Sequence, residues 1–373
     1  MNQSLFSTDE HIDLRWLPRD LWSKRLPRHL VERGPKVVDT DLGAMWVCDD
    51  ASWGVWGNTL GEMSGKKWAV GDVEEGVLTA TEPKLRLADM DRDGIAASVI
   101  FGPVTPLDIV DPELRRECYR AYNDWLVEFC SEAPDRLLGV GFLPVEDPDQ
   151  AVEELERLAD TPLKQVNLMI ARTHEPVHKG GWLNFWDAMN DSPLILSSHF
   201  GVDIRRIGQP GEMPQATAAQ RIGLAKGWVQ FIDPLIQLFS NGVLEKRPNV
   251  RWVLAESGTG WLPYLMQRLD QRYDEVLTDV DFWKRFGDIP IERHPSETFK
   301  KQIWVTFTDD AVAMSLLPFF GEDKLMWASD YPHPDSSFPH SKAVIAAQMG
   351  NLSEEVVRKL TWDNAVSLYG DPS

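Results

Sequence analysis

The segment Thr8-Asp9-Glu10-His11 puts an aspartate and a histidine two residues apart. On extended chain that step returns both side chains to one face, a geometry that suits metal ligation. Three more segments end apolar runs with similar donors: Ser197-Ser198-His199, Ala255-Glu256-Ser257-Gly258 and Ala328-Ser329-Asp330-Tyr331-Pro332-His333. Asp9, His11, His199, Glu256 and Asp330 form the expected ligand set, with His333 as a sixth candidate. Glu10 should point away unless a bulge turns it inward. Taken singly each signal is weak, since a lone histidine is more often structural. Together, two imidazoles and three carboxylates suit a divalent metal such as Fe, Zn or Mn better than a thiolate-seeking one. Carboxylates can also bridge two cations, so one or two ions are both compatible with the set.

The elements that must position these groups are short apolar runs at residues 5–8, 96–101, 137–143, 164–170, 194–198, 251–255, 302–307 and 325–329. Amphipathic stretches alternate with them, among them 112–131, 148–159, 181–190, 261–276 and 310–319. Eight strand–helix repeats predict a (β/α)8 TIM barrel, in which every candidate ligand falls at the C-terminal end of a strand. One domain spanning 1–373 is expected. Residues 15–87, rich in Trp, Gly and Pro, read as an insertion after strand one, with 44–70 forming an apolar wall over the mouth. An irregular stretch at 202–219 overhangs the same end, and residues 341–370 read as closing helices.

At these residues the chain resembles the amidohydrolase superfamily, in the branch that includes metal-dependent decarboxylases. The likeness is carried by the Asp9-Glu10-His11 segment with Leu21-Trp22 and Arg25-Leu26-Pro27. Further support comes from Gly242-Val243-Leu244-Glu245 before Pro248, from Glu256-Ser257-Gly258-Thr259-Gly260-Trp261-Leu262-Pro263 with Arg268-Leu269-Asp270, and from Ser329-Asp330-Tyr331-Pro332-His333-Pro334-Asp335-Ser336. The resemblance implies Asp9, His11, His199 and Asp330 as ligands, Asp330 also handling a proton, and Glu256, Asp330 and His199 as the catalytic groups. Decarboxylases of the branch usually carry a histidine where this chain has Glu256. That extra carboxylate resembles a nonheme diiron monooxygenase subgroup, which hydroxylates bulky terpenoid acids as acyl thioesters of coenzyme A and needs an external reductant. The expected function is therefore diiron hydroxylation of a hydrophobic acid; the alternative is hydrolysis or decarboxylation at one metal, and the third reading is a barrel that only binds.

Composition removes other classes. The net charge of −20, from 38 Lys and Arg against 58 Asp and Glu, repels nucleic acid and anionic lipid. No run reaches the roughly 20 apolar residues of a membrane span, and the start lacks a leader pattern, so a cytoplasmic protein is expected, as a monomer or a homo-oligomer. Cys48, Cys118 and Cys130 lack metal-type spacing. His174 and His178 read as solvated, His294 has no evident partner, and Asp89, Asp91 and Asp93 read as structural. One of Asp309 and Asp310 should cap a helix, and Trp16, Trp22 and Trp182 read as packing.

Overall fold

Apolar residues alternate along the strands between two destinations, which is what a closed sheet wrapped in helices requires. Leu5, Ile100 and Leu254 join the layer beneath the helices. Phe6, Ala97, Val99, Val140, Val253 and Ala255 instead form the barrel interior with Leu138, Trp304 and Met326. The computed structural model describes residues 4–41, 43–49, 51–57, 79–201, 224–333 and 336–372.

The chain runs β1 (Leu5–His11), then β2 (Lys36–Thr40), β3 (Gly43–Cys48) and β4 (Ala51–Val55), and then β5 (Ile95–Phe101) and β6 (Leu137–Phe142). It continues with β7 (Gln165–Asn167), β8 (Ile195–His199), β9 (Trp252–Ala255), β10 (Ile303–Phe307) and β11 (Leu325–Trp327). Strands β1 and β5 to β11 form an eight-stranded sheet in sequence order, with all of its ladders parallel. Past β11 the sheet closes onto β1 through Asp330 N–H to Asp9 O (3.0 Å) and His11 N–H to Tyr331 O (2.7 Å). Helices such as Pro112–Cys130, Pro148–Ala159 and Leu262–Thr278 cover the outside. The expected TIM barrel is the observed fold, and the eight expected strands are its eight strands.

The closing helices occur as Ser341–Met349, Glu354–Arg358 and Asn364–Tyr369, the last two joined by a π-helical turn at Lys359–Asp363. Tyr369 stacks on Phe6 at 5.9 Å, so the chain's end seals the barrel floor opposite the ligand-bearing strand ends.

The described part of residues 15–87 contains an antiparallel sheet, β2–β3–β4. Trp46 and Trp53 meet Trp22 edge-on at 4.9 and 6.0 Å. Trp46 and Trp56 donate their indole N–H to Leu14 O and Leu17 O. These tryptophans pin the sheet to the segment leaving β1, and each aromatic pair adds about 0.5–1.5 kcal/mol beyond its buried area. Trp22 and Trp182 are packing residues, as expected: both are fully buried, and Trp22 donates to Cys118 O. The remainder of the expected wall, 58–70, and the overhang at 202–219 lie outside the described residues.

Candidate metal centre

Strict alternation from the inward Phe6 would turn Thr8 and Glu10 into the barrel. The β1–β5 register shifts between Ser7 and Glu10, and a slip of one residue exchanges the faces. Asp9 and His11 consequently face inward while Glu10 faces out. Glu10 is buried against Arg86 at 2.8 Å and accepts a hydrogen bond from Ser329 Oγ at 2.9 Å. Arg86 also donates to His11 O and Ala80 O. Glu10 therefore points away from the cluster, and the register shift, which could have turned it inward, turns it outward instead.

Inside the mouth, Asp9, His11 and His199 bring their donor atoms within 4.8 Å of one another. His11 Nε2 and His199 Nε2 lie 3.4 and 3.3 Å from Asp9 Oδ1. Asp330 Oδ1 is 3.1 Å from His11 Nε2, and Glu256 Oε2 is 3.7 Å from His199 Nε2. All five expected ligands thus converge. His333 joins a second group with His11 and Asp330, its ring stacked on His11 at 4.0 Å. His333 Nδ1 is 2.9 Å from Asp330 Oδ1, and its Nε2 is 3.0 Å from Asp13 Oδ2.

Supporting residues fix these directions. His199 Nδ1 lies 2.5 Å from Phe200 O, so a proton on Nδ1 leaves the Nε2 lone pair free. Asn167 Oδ1 accepts from His199 N–H. Thr306 Oγ accepts from Glu256 N–H at 2.9 Å and donates to Asp9 Oδ2 at 3.2 Å, which turns Oδ1 toward the imidazoles. Glu256 and Asp330 both hold left-handed backbones, φ 46° and 59°, a strain of order 1–3 kcal/mol each that gathers at functional sites. Gly258, φ 61°, gives the loop after Glu256 the same freedom and lets Trp228 pack 3.3 Å from where a Cβ would sit.

The donor set fits a divalent cation. Asp9 Oδ1, His11 Nε2 and His199 Nε2 are buried with no hydrogen-bond partner among the described residues, an expensive condition for polar atoms aimed at one another. Imidazole and carboxylate are donors for Mn, Zn or Fe. Without a cation the protons redistribute. Burial opposes charge on His199, but Asp9 and Glu256 outweigh it and push its value up to about 9. Burial lowers His11, with His333 adding repulsion. Asp330, despite burial, is held well below the carboxylate range by His333 and His11. Burial and then the Asp330 charge push Glu256 the other way, well above that range. Glu256 is also the most open of the five, 19% exposed where the others are at most 5%.

Aromatic rings border the cluster: Phe101 lies 4.8 Å from the His199 ring, and Trp16 lies 6.1 Å from the His333 ring. Trp16 is thus both packed and at the site's edge. A cleft of about 500 Å³ opens between the segments that follow β7 and β8, lined by Arg172, His174, His178, Lys226, Gln230 and Asp233 among others. His178 and the exposed His174 therefore flank a cavity rather than only solvent.

Elsewhere Asp310 caps the next helix through Ala313 N–H and also accepts from Thr259. His294 has a partner after all, Asp274 Oδ1 at 2.8 Å, supplied by the helix folded beside it. Asp89, Asp91 and Asp93 bind Tyr331 OH, Arg136 and Ser341 as structural contacts. The three cysteines are free and buried, and no described helix is long and apolar enough to cross a membrane. Sequence reasoning missed Asp13, Asn167 and Thr306; an acidic residue two positions beyond His11 was the one available signal.

Known proteins resemble this chain in sequence and in fold. The chain is 24% identical over 304 residues to a gamma-resorcylate decarboxylase of Rhodococcus jostii (strain RHA1), covering 76% of this chain and 86% of that one. The crystal structure of an amidohydrolase from Mycobacterium avium subsp. paratuberculosis K-10 matches with a TM-score of 0.71 at 18% identity over 99% of both chains. A dihydroxybenzoic acid decarboxylase from Polaromonas sp. JS666, with bound manganese and 2-nitroresorcinol, gives a TM-score of 0.62 at 17% identity, covering 98% of this chain and 96% of that one. Structural likeness at such identities speaks for the fold alone. Residues 75–370, more than three quarters of the chain, match the family model described as Amidohydrolase, and the chain belongs to that family.

Proposed function

We propose that this protein is a metal-dependent decarboxylase of a small aromatic or conjugated carboxylic acid. Asp9, His11, His199 and Asp330 would hold one divalent cation, manganese being the ion bound in one structural relative. Bound there, the cation would supply a Lewis acid that anchors and polarises the substrate's carboxylate or neighbouring oxygen. Loss of carbon dioxide breaks a carbon–carbon bond and leaves an electron pair on carbon, which must then be protonated. Glu256 is suited to give that proton. Asp330 stays ionised beside it, and two carboxyl groups driven apart in this way mark separate acid and base roles. A histidine in place of Glu256 is thus not needed, because a neutral carboxylic acid also donates.

Phe101, Trp16 and the Phe200–Trp228 pair, 5.1 Å apart, supply apolar walls for a flat acid. Arg172 and Lys226, together with Glu175 and Asp233, line the cleft between the segments that follow β7 and β8. The observation that carries the proposal is the buried Asp9–His11–His199 cluster of unsatisfied donors with Glu256 as the open acid at its rim. Its test is carbon dioxide release by manganese-loaded protein from gamma-resorcylate and related hydroxybenzoates. Turnover supports the reading; binding of one manganese with no release from any such acid overturns it.

The expected diiron hydroxylation, with its acyl thioester and external reductant, finds no support among the relatives, which are named as decarboxylases. One observation favours keeping it as a second reading: Glu256 adds a further carboxylate 3.7 Å from His199. Two irons per chain together with substrate-dependent oxygen uptake would promote it.

A further inference from the structure

We infer that Asp13 is a positioning residue for the metal centre, acting through His333 to hold Asp330. The inference rests on the reading of Asp330 as a ligand. Asp13 stands at the start of the 3-10 turn Leu14–Trp16, where an aspartate ordinarily turns its carboxylate onto the turn's own N–H groups. Here the side chain makes no capping bond. Its Oδ2 reaches His333 Nε2 at 3.0 Å, and its Oδ1 is buried with no hydrogen-bond partner among the described residues. The local turn has given up a capping interaction so that this carboxylate can face the mouth.

The other nitrogen of the same ring lies 2.9 Å from Asp330 Oδ1, the atom that is also 3.1 Å from His11 Nε2. His333 is further fixed by its N–H to Asp330 O at 2.9 Å and by stacking on His11 with planes 23° apart. An imidazole with one nitrogen on each of two carboxylates cannot turn without losing both contacts. Asp13 and Asp330 leave different strands, β1 and β11, at the seam where the barrel closes. The Asp13–His333–Asp330 chain therefore ties that seam and fixes the direction in which Asp330 presents itself. Outer partners of this kind are worth about 10–100-fold in metal affinity or activity.

Manganese alone, titrated into metal-free protein and followed by electron paramagnetic resonance, tests the inference without knowledge of the substrate. Wild type, Asp13→Ala, Asp13→Asn, His333→Gln and the Asp13→Ala/His333→Gln double variant are compared, each with a thermal melt of its metal-free form. Asp13→Ala should weaken manganese binding about 10–100-fold and alter the spectrum of the bound ion. Asp13→Asn, which keeps an oxygen for His333, should lose less, and the double variant should match His333→Gln alone. Unchanged affinity and spectrum in Asp13→Ala, or losses that multiply in the double variant, would overturn the role. If Asp13→Ala does not fold, Asp13→Asn decides, with a wild-type spectrum and affinity counting against it. A wild type that takes up no manganese overturns the metal reading itself and this inference with it.

Discussion

Two neighbouring faces of β1 bury charge in opposite ways. On the outer face Glu10 is wholly buried and both its oxygens are engaged, one by Arg86 and one by Ser329. On the inner face Asp9 and His11 are equally buried, yet Asp9 Oδ1 and His11 Nε2 have no hydrogen-bond partner among the described residues and are aimed at His199 and Asp330. Burial of a charged group therefore does not mark the site. What marks it is convergence: single orphaned atoms such as Arg86 Nε and Trp327 Nε1 occur elsewhere, but Asp9, His11 and His199 aim theirs at one another, where a cation can complete them together.

The widest separation of the two faces should come from paired substitutions. Asp9→Asn or His11→Ala should abolish stoichiometric metal binding while the metal-free chain still melts cooperatively near the wild-type temperature. Metal retention in both variants, by elemental analysis, would break the comparison. Next in size, Glu256→Gln should retain metal and lower decarboxylation about 10²–10⁴-fold, the usual worth of a general acid. Loss of one of two bound ions in that variant would instead favour the diiron reading.

On the outer face, Arg86→Met should cost about 3–5 kcal/mol, since it leaves the Glu10 carboxylate buried and unpaired. Denaturant unfolding measures this, and at temperatures where the variant stays folded the metal should remain. The smallest effect is a pH dependence confined to the inner face. His199, raised to about 9 from an ordinary value of 6.5, stabilises the metal-free chain fully below pH 6.5, and that contribution is lost as pH rises through about 9. A cation must displace the same proton, so manganese affinity should climb by up to about tenfold per pH unit over that window. Affinity that stays flat from pH 6 to 9 would mean that His199 is not a ligand.

Much of this was legible in the chain. Apolar runs gave all eight barrel strands because each is bounded by polar or Pro/Gly residues, and the two-residue step from Asp9 to His11 put both on one face, although only the register shift of β1 turns that face inward. The β2–β4 sheet was not, since β2 and β4 carry few buried positions and the sheet leans on Trp22, which belongs to another segment. Arg86 could not be matched to Glu10 across 76 positions. Asp13 was hidden for a different reason: an acidic residue at a turn start looks like a cap, and only the fold shows it facing His333. The role of Glu256 turned on its surroundings, where Asp330 and burial decide its proton affinity.

The central claim is that Asp9, His11, His199 and Asp330 complete one cation site at the barrel mouth. Manganese-to-protein stoichiometry, measured side by side in the wild type and in His199→Ala, tests it most directly. The account predicts one equivalent in the wild type and none in the variant; an equal metal content in both, or none in either, would contradict it.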